Sequence, residues 1–250
     1  MITGYSFDFL FFEKFVMPKL RALKISNVNL LVDPNMYEQS ISDFNGTKLP
    51  SDAGYSIEPA RVPRLFHSKV MLFFGDNEGL AFIGSGNPTQ CGYGLNQEIW
   101  SAIHIKDATD PKASAFLQLW NNFRIWSQGV PKYFTQKLDW ITLYSPWLKQ
   151  AKPVDPPWLL SEGRSIEIWD TTSENLFDQF TKIAQAETVE EIIFCSPYFD
   201  LNFEAIETVK AIFKKSKISM VVNKLMDPNI LGPLKKYDWL AAEDLWTDLS

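Results

Sequence analysis

Histidine and cysteine are nearly absent from this chain: its 250 residues hold two of each. Cys91 and Cys195 fall in unrelated contexts. Two isolated thiols build neither a disulfide framework nor a zinc cluster, and they suit a reducing compartment. An excess of positive charge is also lacking. The 24 Lys+Arg against 30 Asp+Glu leave a formal net charge of −6 and a pI near 5.1. That excludes a protein that coats duplex by bulk charge, so any nucleic-acid contact needs a local basic patch. Long apolar runs are missing too. The longest early one, Phe7 to Met17, is broken by Asp8, Glu13 and Lys14 and is too short to span a bilayer. No basic leader region opens the chain. These absences predict a soluble, cytoplasmic protein with no membrane span. What is present is apolar and aromatic: 46% hydrophobic residues, with 19 Phe, 9 Trp and 8 Tyr. That is enough core for one large domain or two modest ones.

The pattern along the chain is that of an α/β protein. "ITGYSF" (2–7) predicts a strand, "FLFFEKFVMPKLRALK" (9–24) a helix kinked or split at Pro18, and "VNLLVD" (28–33) a central strand. Strand, helix, strand is a βαβ unit and predicts a parallel pair. Residues 34–55 are turn-rich and predict a loop with at most one helical turn; "SIEPARV" is a short strand. Leu65–Phe74 and Leu80–Gly84 form a hairpin around Gly75-Asp-Asn-Glu-Gly79. A strand over 98–106 and helices over 110–129 and 130–148 complete a first unit, 1–148. Residues 149–164 hold three prolines and predict an extended linker. A second unit, 165–250, restarts with strand, helix, strand, helix, strand.

Two segments repeat. "TGYSFD" (Thr3–Asp8) and "CSPYFD" (Cys195–Asp200) each end a strand and precede a helix, and "VNLLVD" and "ISMVVN" follow at offsets of 192 and 190 residues. Near-constant offset suggests a duplicated α/β unit, although any two βαβ units share some pattern. His67 lies 60 residues beyond Phe7; the same step from Phe199 reaches position 259, past Ser250. A duplicated unit therefore stops short of its second histidine strand.

The chemistry concentrates in "FHSKVMLFFGDNEGLAFIGSGNPTQCG" (Phe66–Gly92). Alternation along a strand points His67 and Lys69 to one side. The hairpin returns Gly84, Ser85 and Asn87 to the same end, where glycine admits a ligand close to backbone. Asn87-Pro88 predicts a helix start with Asn as cap, which offers free N–H groups to an anion. An imidazole, a cation, a hydroxyl and an amide in one place suit a phosphate group in transfer chemistry. Against this, His67 alone reads as an ordinary strand histidine. His104, in "SAIHIK", has no partners nearby in sequence and reads as structural. The tryptophans at 120, 126, 140 and 147 read as packing residues, and "KAIFKKSK" (Lys210–Lys217) as a solvated helix end.

His67-Ser68-Lys69 followed by Gly84-Ser85-Gly86-Asn87 resembles the H-x-K-x4-D-x6-G-S-x-N signature of the phospholipase D superfamily, and in particular its prokaryotic nuclease-like branch. "GYGLNQE" (Gly92–Glu98) resembles the downstream segment whose glutamate orients the histidine in that family. The chain departs from the signature in one respect. Fourteen residues separate Lys69 from Gly84, Phe74 stands at the aspartate position, and Asp76 follows two residues later. The resemblance covers most of the chain at low identity. It implies an α/β fold built as a phospholipase D-like mixed β-sheet flanked by helices, duplicated, with the second copy incomplete. It implies metal-independent phosphodiester hydrolysis with no cofactor: one histidine attacks phosphorus, and another protonates the leaving oxygen and then activates water. His67, Lys69, Asn87 and Glu98 are the implied catalytic residues. Ser85, Lys69 and Asn87 are the implied substrate contacts.

Two histidines are needed and the chain supplies one in this motif. The chain is thus a fragment of a longer protein, one half of a homodimer with a shared site, or a unit that has lost its second motif. The leading expectation is a nuclease with nucleic acid as substrate. The alternatives are a non-catalytic nucleic-acid-binding or assembly module attached to a helicase-type partner, and a phospholipid-headgroup hydrolase or transferase.

Overall fold

A computed structural model describes residues 1–43, 54–159, 164–172, 174–185, 188–196, 199–200, 202–222 and 238–241. The chain divides into two compact units, Met1–Ile168 and Trp169–Ser250.

The first unit is a mixed α/β structure around a six-stranded sheet in the order β3-β2-β1-β4-β5-β6. β1 (Ile2–Gly4), β2 (Val28–Val32) and β3 (Tyr55–Pro59) run parallel, with Ile2 opposite Leu30 and Val28 opposite Tyr55. β4 (Val70–Phe74) is antiparallel to β1, and β5 (Gly79–Gly84) and β6 (Trp100–Ile105) continue as an antiparallel meander. The parallel β1–β2 pair and the hairpin are as the sequence predicts. β2 is buried along its whole length, as expected of an apolar strand covered on both faces, and it takes Asn29 into the interior with it.

Helices cover both faces, and the strand alternation sorts the side chains between them. Leu31, Leu72, Ala81, Ile103 and Ile105 pack against α4 (Ala113–Trp126), α5 (Lys132–Tyr144) and α6 (Trp147–Gln150), through Phe116, Trp120, Phe134 and Trp147. Ile2, Leu30 and Val32 meet Phe7, Phe9, Phe12, Met17 and Leu20 on the other face. The helical stretch that follows β1 runs as α1 (Phe9–Phe11), a π turn (Phe12–Val16) and α2 (Met17–Ala22). Pro18 has no N–H to donate, and the wider π turn just before it absorbs the mismatch without ending the helix.

Three local expectations fail. Residues Pro34–Asp43 form a ten-residue helix, α3, and not a loop. Its start is capped by Asp33, whose Oδ1 accepts from the N–H groups of Asn35 (3.0 Å) and Met36 (3.3 Å). The remainder of the expected loop, 44–53, lies outside the described residues. Residues 149–164 do not form a free linker where they are described. Trp158 is 4% exposed in the core of the first unit, and its Nε1–H donates to Val154 O at 2.8 Å. β7 (Trp158–Leu159) pairs antiparallel with β8 (Ser165–Ile166), so "SIEIWD" begins as part of the first unit. A large indole outweighs the three prolines around it, because burying it returns more than local chain stiffness costs.

The second unit has α7 (Leu176–Gln185), β9 (Glu191–Cys195), α8 (Glu204–Ile212), β10 (Lys217–Val222) and β11 (Asp238–Ala241). Its three strands are all parallel, in the order β11-β10-β9, around Phe203, Ile206, Val209, Phe213 and Met220. β11 is a strand that the sequence pattern did not signal. Within "CSPYFD", residues 197 and 198 lie outside the described residues. Among the described residues no helix is long and apolar enough to cross a membrane.

Truncating the buried indole tests the placement of 149–159. Trp158→Ala should lower unfolding free energy by about 3–5 kcal/mol, as for other buried aromatic deletions, in urea titration of the full chain. A free linker tryptophan would cost nothing measurable.

Candidate active site

β4 runs against β1 and β2, so its beginning lies beside their ends. One end of the sheet therefore collects Tyr5 after β1, Asp33 after β2, His67 and Lys69 before β4, Ser85 and Asn87 after β5, and Glu98 before β6. His67 and Lys69 are not in β4 itself. They occupy the extended segment that leads into it, and the ladder reaches back only as far as Gly84 N–H donating to Lys69 O at 3.0 Å.

The predicted pairing of His67 with Lys69 is present. Lys69 Nζ lies 3.1 Å from His67 Nδ1 and donates to His67 O at 3.0 Å. An ammonium has no acceptor, so a charged Lys69 donates to Nδ1 and leaves the neutral ring its proton on Nε2. Lys69 is 7% exposed, and burial pulls its ammonium down to about 8, with Glu98 opposing. His67 is held below its ordinary value by burial first and Lys69 second, with Asp33 pulling the other way. The Tyr5 ring leans on the imidazole, with centroids 4.9 Å apart.

Asn87 is brought to the site but caps no helix at its own position. Its Oδ1 accepts from the backbone N–H groups of Tyr5 (2.9 Å) and Ser6 (3.4 Å). The next regular element is a π turn at Cys91–Leu95, so the expected helix start at Pro88 is absent. Close backbone packing holds Asn87 there. A Cβ at Gly92 would sit 2.3 Å from Asn87 O, and one at Gly4 would sit 2.4 Å from Pro88 Cδ. These glycines serve close approach, which strand patterning alone does not reveal.

Glu98 departs from its implied role. Its Oε2 accepts from Ser85 Oγ in a short hydrogen bond and its Oε1 from Asn96 Nδ2 at 3.1 Å. Among the described residues it makes no hydrogen bond to His67. It acts on the site through Ser85, whose Oγ also accepts from Ile99 N–H at 3.0 Å, and through its charge near Lys69. Ser85 is exposed, and its hydroxyl is engaged by Glu98 and Ile99.

Phe74, at the signature's aspartate position, packs edge-on against Phe116 (5.3 Å) and Trp120 (5.1 Å). Asp76 is exposed at the hairpin tip, the length of β4 away from His67, and cannot serve that end of the sheet. His104 sits toward the same tip, opposite Leu80, with its Nε2 3.0 Å from Glu78 Oε2. Trp120 and Trp147 are buried and Trp126 packs on Phe66, whereas Trp140 is 45% exposed.

Three residues were missed from sequence. Asp33, 1% exposed, caps α3 and accepts from Phe66 N–H through Oδ2 at 2.9 Å, which fixes the backbone next to His67. Thr3 Oγ1 accepts from Val70 N–H at 2.8 Å and lies 3.3 Å from Ser68 Oγ. Tyr5 supplies the ring beside His67. A signal was available for each. Asp33 is a carboxylate at the carboxyl end of a parallel strand, where ligands bind in open α/β sheets, and Thr3 and Tyr5 lie in the repeated "TGYSFD". Among the described residues no group of three His, Cys, Asp or Glu comes together to hold a metal ion.

No family model matches the chain, and no curated protein matches it. Among solved structures, the polyphosphate kinase from Porphyromonas gingivalis aligns with a TM-score of 0.44 and 10% identity, over 96% of this chain and 35% of that one. The chain thus spans about a third of that protein's length. A likeness at this level carries no argument about activity.

The coupling between Lys69 and His67 is testable in the imidazole itself. Lys69→Met removes one of the two influences that lower the His67 pKa, so the midpoint should rise toward about 6.5. A pH titration of the imidazole nitrogens by NMR reads it directly. An unchanged or lower midpoint would show that Lys69 does not depress the imidazole.

Proposed function

We propose that this chain is a phosphodiesterase of the phospholipase D type, acting on nucleic acid without a metal ion, with His67 as one of two histidines. The observation that carries this reading is the His67–Lys69 contact on an exposed ring, opposite Ser85 and Asn87, at the carboxyl end of the parallel strands. The parallel order β3-β2-β1 in the first unit and β11-β10-β9 in the second supports a duplicated architecture.

An entering phosphodiester draws Lys69 onto its non-bridging oxygens. Nδ1 is then free to carry the ring proton, which exposes the Nε2 lone pair. Attack by Nε2 forms the P–N bond and expels an alkoxide, which takes its proton from the second histidine. Water, deprotonated by that same histidine, then breaks the P–N bond and restores His67. The second histidine comes from another copy of the chain or from residues beyond Ser250, and an assembly with a helicase-type partner would supply substrate to the same site.

The full chain is tested on labelled single- and double-stranded DNA and on bis(p-nitrophenyl) phosphate in excess EDTA, beside His67→Ala. Cleavage should survive EDTA and fall by at least a hundredfold in the variant. Cleavage abolished by EDTA overturns the mechanism. Hydrolysis of phospholipid headgroups with no action on DNA overturns the substrate class. Binding without hydrolysis of any ester favours the non-catalytic module.

The pH profile carries a second test. His67 must be neutral to attack, so activity rises through a midpoint below about 6.5. Lys69 must be charged to hold phosphate, so activity falls as the pH passes about 8. Lys69→Arg should keep the acid limb and remove the share of the basic limb set by Lys69, because guanidinium stays protonated, leaving only the limb of the second histidine as general acid.

A further inference from the structure

The chain is acidic overall, yet the helical stretch 9–24 carries Lys14, Lys19, Arg21 and Lys24 against one carboxylate, Glu13, a local charge of +3. Glu13 is already engaged, with its Oε1 accepting from the Tyr55 hydroxyl at 2.9 Å. Lys14 and Lys19 are exposed. Between them stands Phe15, 57% exposed, and its ring stacks on Phe11 with centroids 5.6 Å apart and planes at 27°. Exposed apolar side chains are ordinary when scattered singly. A stacked pair of phenylalanines flanked by exposed lysines is not scattered.

The pair is also joined to the candidate site. Phe11 meets Tyr93 edge-on at 6.3 Å, and Tyr93 meets Trp100 at 5.9 Å. Trp100 lies against Gly84 and Gly86, where added Cβ atoms would come within 2.3 and 2.8 Å of its ring. Gly92, the neighbour of Tyr93, is the residue that abuts Asn87. Asp8, which caps α1 at Phe11 N–H (3.0 Å), donates its own N–H to Pro88 O at 3.2 Å. The aromatic run therefore starts at the loop that holds Asn87 and ends on an open, cationic helix face.

We infer that the Phe11–Phe15 stack, flanked by Lys14 and Lys19, is a platform for the bases of single-stranded nucleic acid whose backbone enters the His67 site. Bases present a π-face to such rings whatever their sequence, and the lysines meet the neighbouring phosphates. A duplex keeps its bases stacked on one another, and a +3 patch on a chain of net charge −6 is too small to hold one by charge alone. The inference rests on the phosphodiesterase reading for the position of the backbone, and on the helix face for the bases.

The experiment measures anisotropy of a labelled oligothymidine and of an abasic strand of equal length, with the full chain in a His67→Ala background. Phe15→Ala should weaken oligothymidine binding roughly tenfold or more and leave abasic binding unchanged. Lys14→Glu with Lys19→Glu should weaken both strands and flatten the dependence on log salt by about 1.4, for two lost phosphate contacts. Equal oligothymidine affinity with and without Phe15 overturns the platform. So does an equal loss for both strands, or a Phe15-dependent self-association with no effect on either strand. Photocrosslinking of a 5-iodouracil strand to the His67→Ala chain needs no change at Phe15: adducts on Phe11 or Phe15 support the platform, and adducts only elsewhere overturn it.

Hydrolysis of diethyl phosphate, followed by phosphorus NMR, separates the two readings, because that ester has no aromatic ring to stack. In the otherwise unaltered chain, Phe15→Ala should leave this hydrolysis intact, and a parallel loss overturns the platform. Hydrolysis that depends on His67 with no strand binding removes the platform and keeps the phosphodiesterase. Phe15-dependent strand binding without hydrolysis keeps the platform and removes the enzyme.

Discussion

The site depends on a seam between two kinds of sheet. β1 belongs to the parallel half and β4 opens the antiparallel half, and the two meet across the pair Ile2 and Met71. Leu72 N–H donates to Met1 O at 2.8 Å at one end of the seam. At the other end a side chain takes over, with Val70 N–H donating to Thr3 Oγ1 at 2.8 Å. Past Thr3 the two strands are released from each other, and the Tyr5 ring comes to lean on His67 at a tilt of 49°. A ladder that ran on with backbone bonds alone would carry His67 along the sheet edge with its neighbours paired. The threonine hydroxyl satisfies the last donor and lets the chain leave the plane.

The same seam is where the strand order reverses direction of growth. From β1 the chain winds outward to β2 and β3, then returns to the other side of β1 for β4, β5 and β6. Open sheets place their ligand crevice at such a reversal, at the carboxyl ends of the parallel strands. Asp33 stands at that point and ties three elements together. It caps α3, fixes Phe66 and places a negative charge near His67. Its two carboxylate oxygens accept three backbone N–H bonds, so this buried side chain has its hydrogen-bond partners within the protein.

Much of this was legible from residues. The largely apolar run of "VNLLVD" and the turn chemistry of "GDNEG" placed β2 and the β4–β5 hairpin, and His67, Lys69, Ser85 and Asn87 converge because the hairpin returns them to one end. The failures have a common cause. Strand alternation describes a side chain's direction relative to its own strand and says nothing of contacts made across the sheet. Asn87 looked like a helix cap because Pro88 follows it, whereas its amide oxygen is claimed by Tyr5 and Ser6 from more than eighty residues away. Glu98 turned to Ser85, the residue beside it across the β5–β6 entrance. Trp158 sat in a proline-rich stretch whose composition argued for a linker, and only the packed core shows where an indole of that size goes. Asp33 closed an apolar strand and seemed to belong to the loop behind it.

In the proposed reading an acidic chain takes an anionic ligand, and the electrostatics of the site account for that pairing. Net charge sets the far field, which salt screens beyond about 8–10 Å. Within that distance the ligand meets Lys69 and a neutral His67. Burial has already weakened the ammonium's hold on its proton, because water that would stabilise the charge has been removed. A phosphodiester monoanion placed beside it restores that stabilisation and favours the charged lysine. The same anion offsets Lys69's unfavourable effect on the imidazole. Burial outweighs Glu98 at Lys69, and burial with Lys69 outweighs Asp33 at His67, so in the proposed reading a bound phosphodiester adds to a counter-charge that is present but insufficient. Binding and protonation are linked in one direction, with the anion raising both affinities for protons. A more exposed lysine would hold its charge more easily and gain less from a phosphate, so in the proposed reading the burial of Lys69 ties its charge to the ligand.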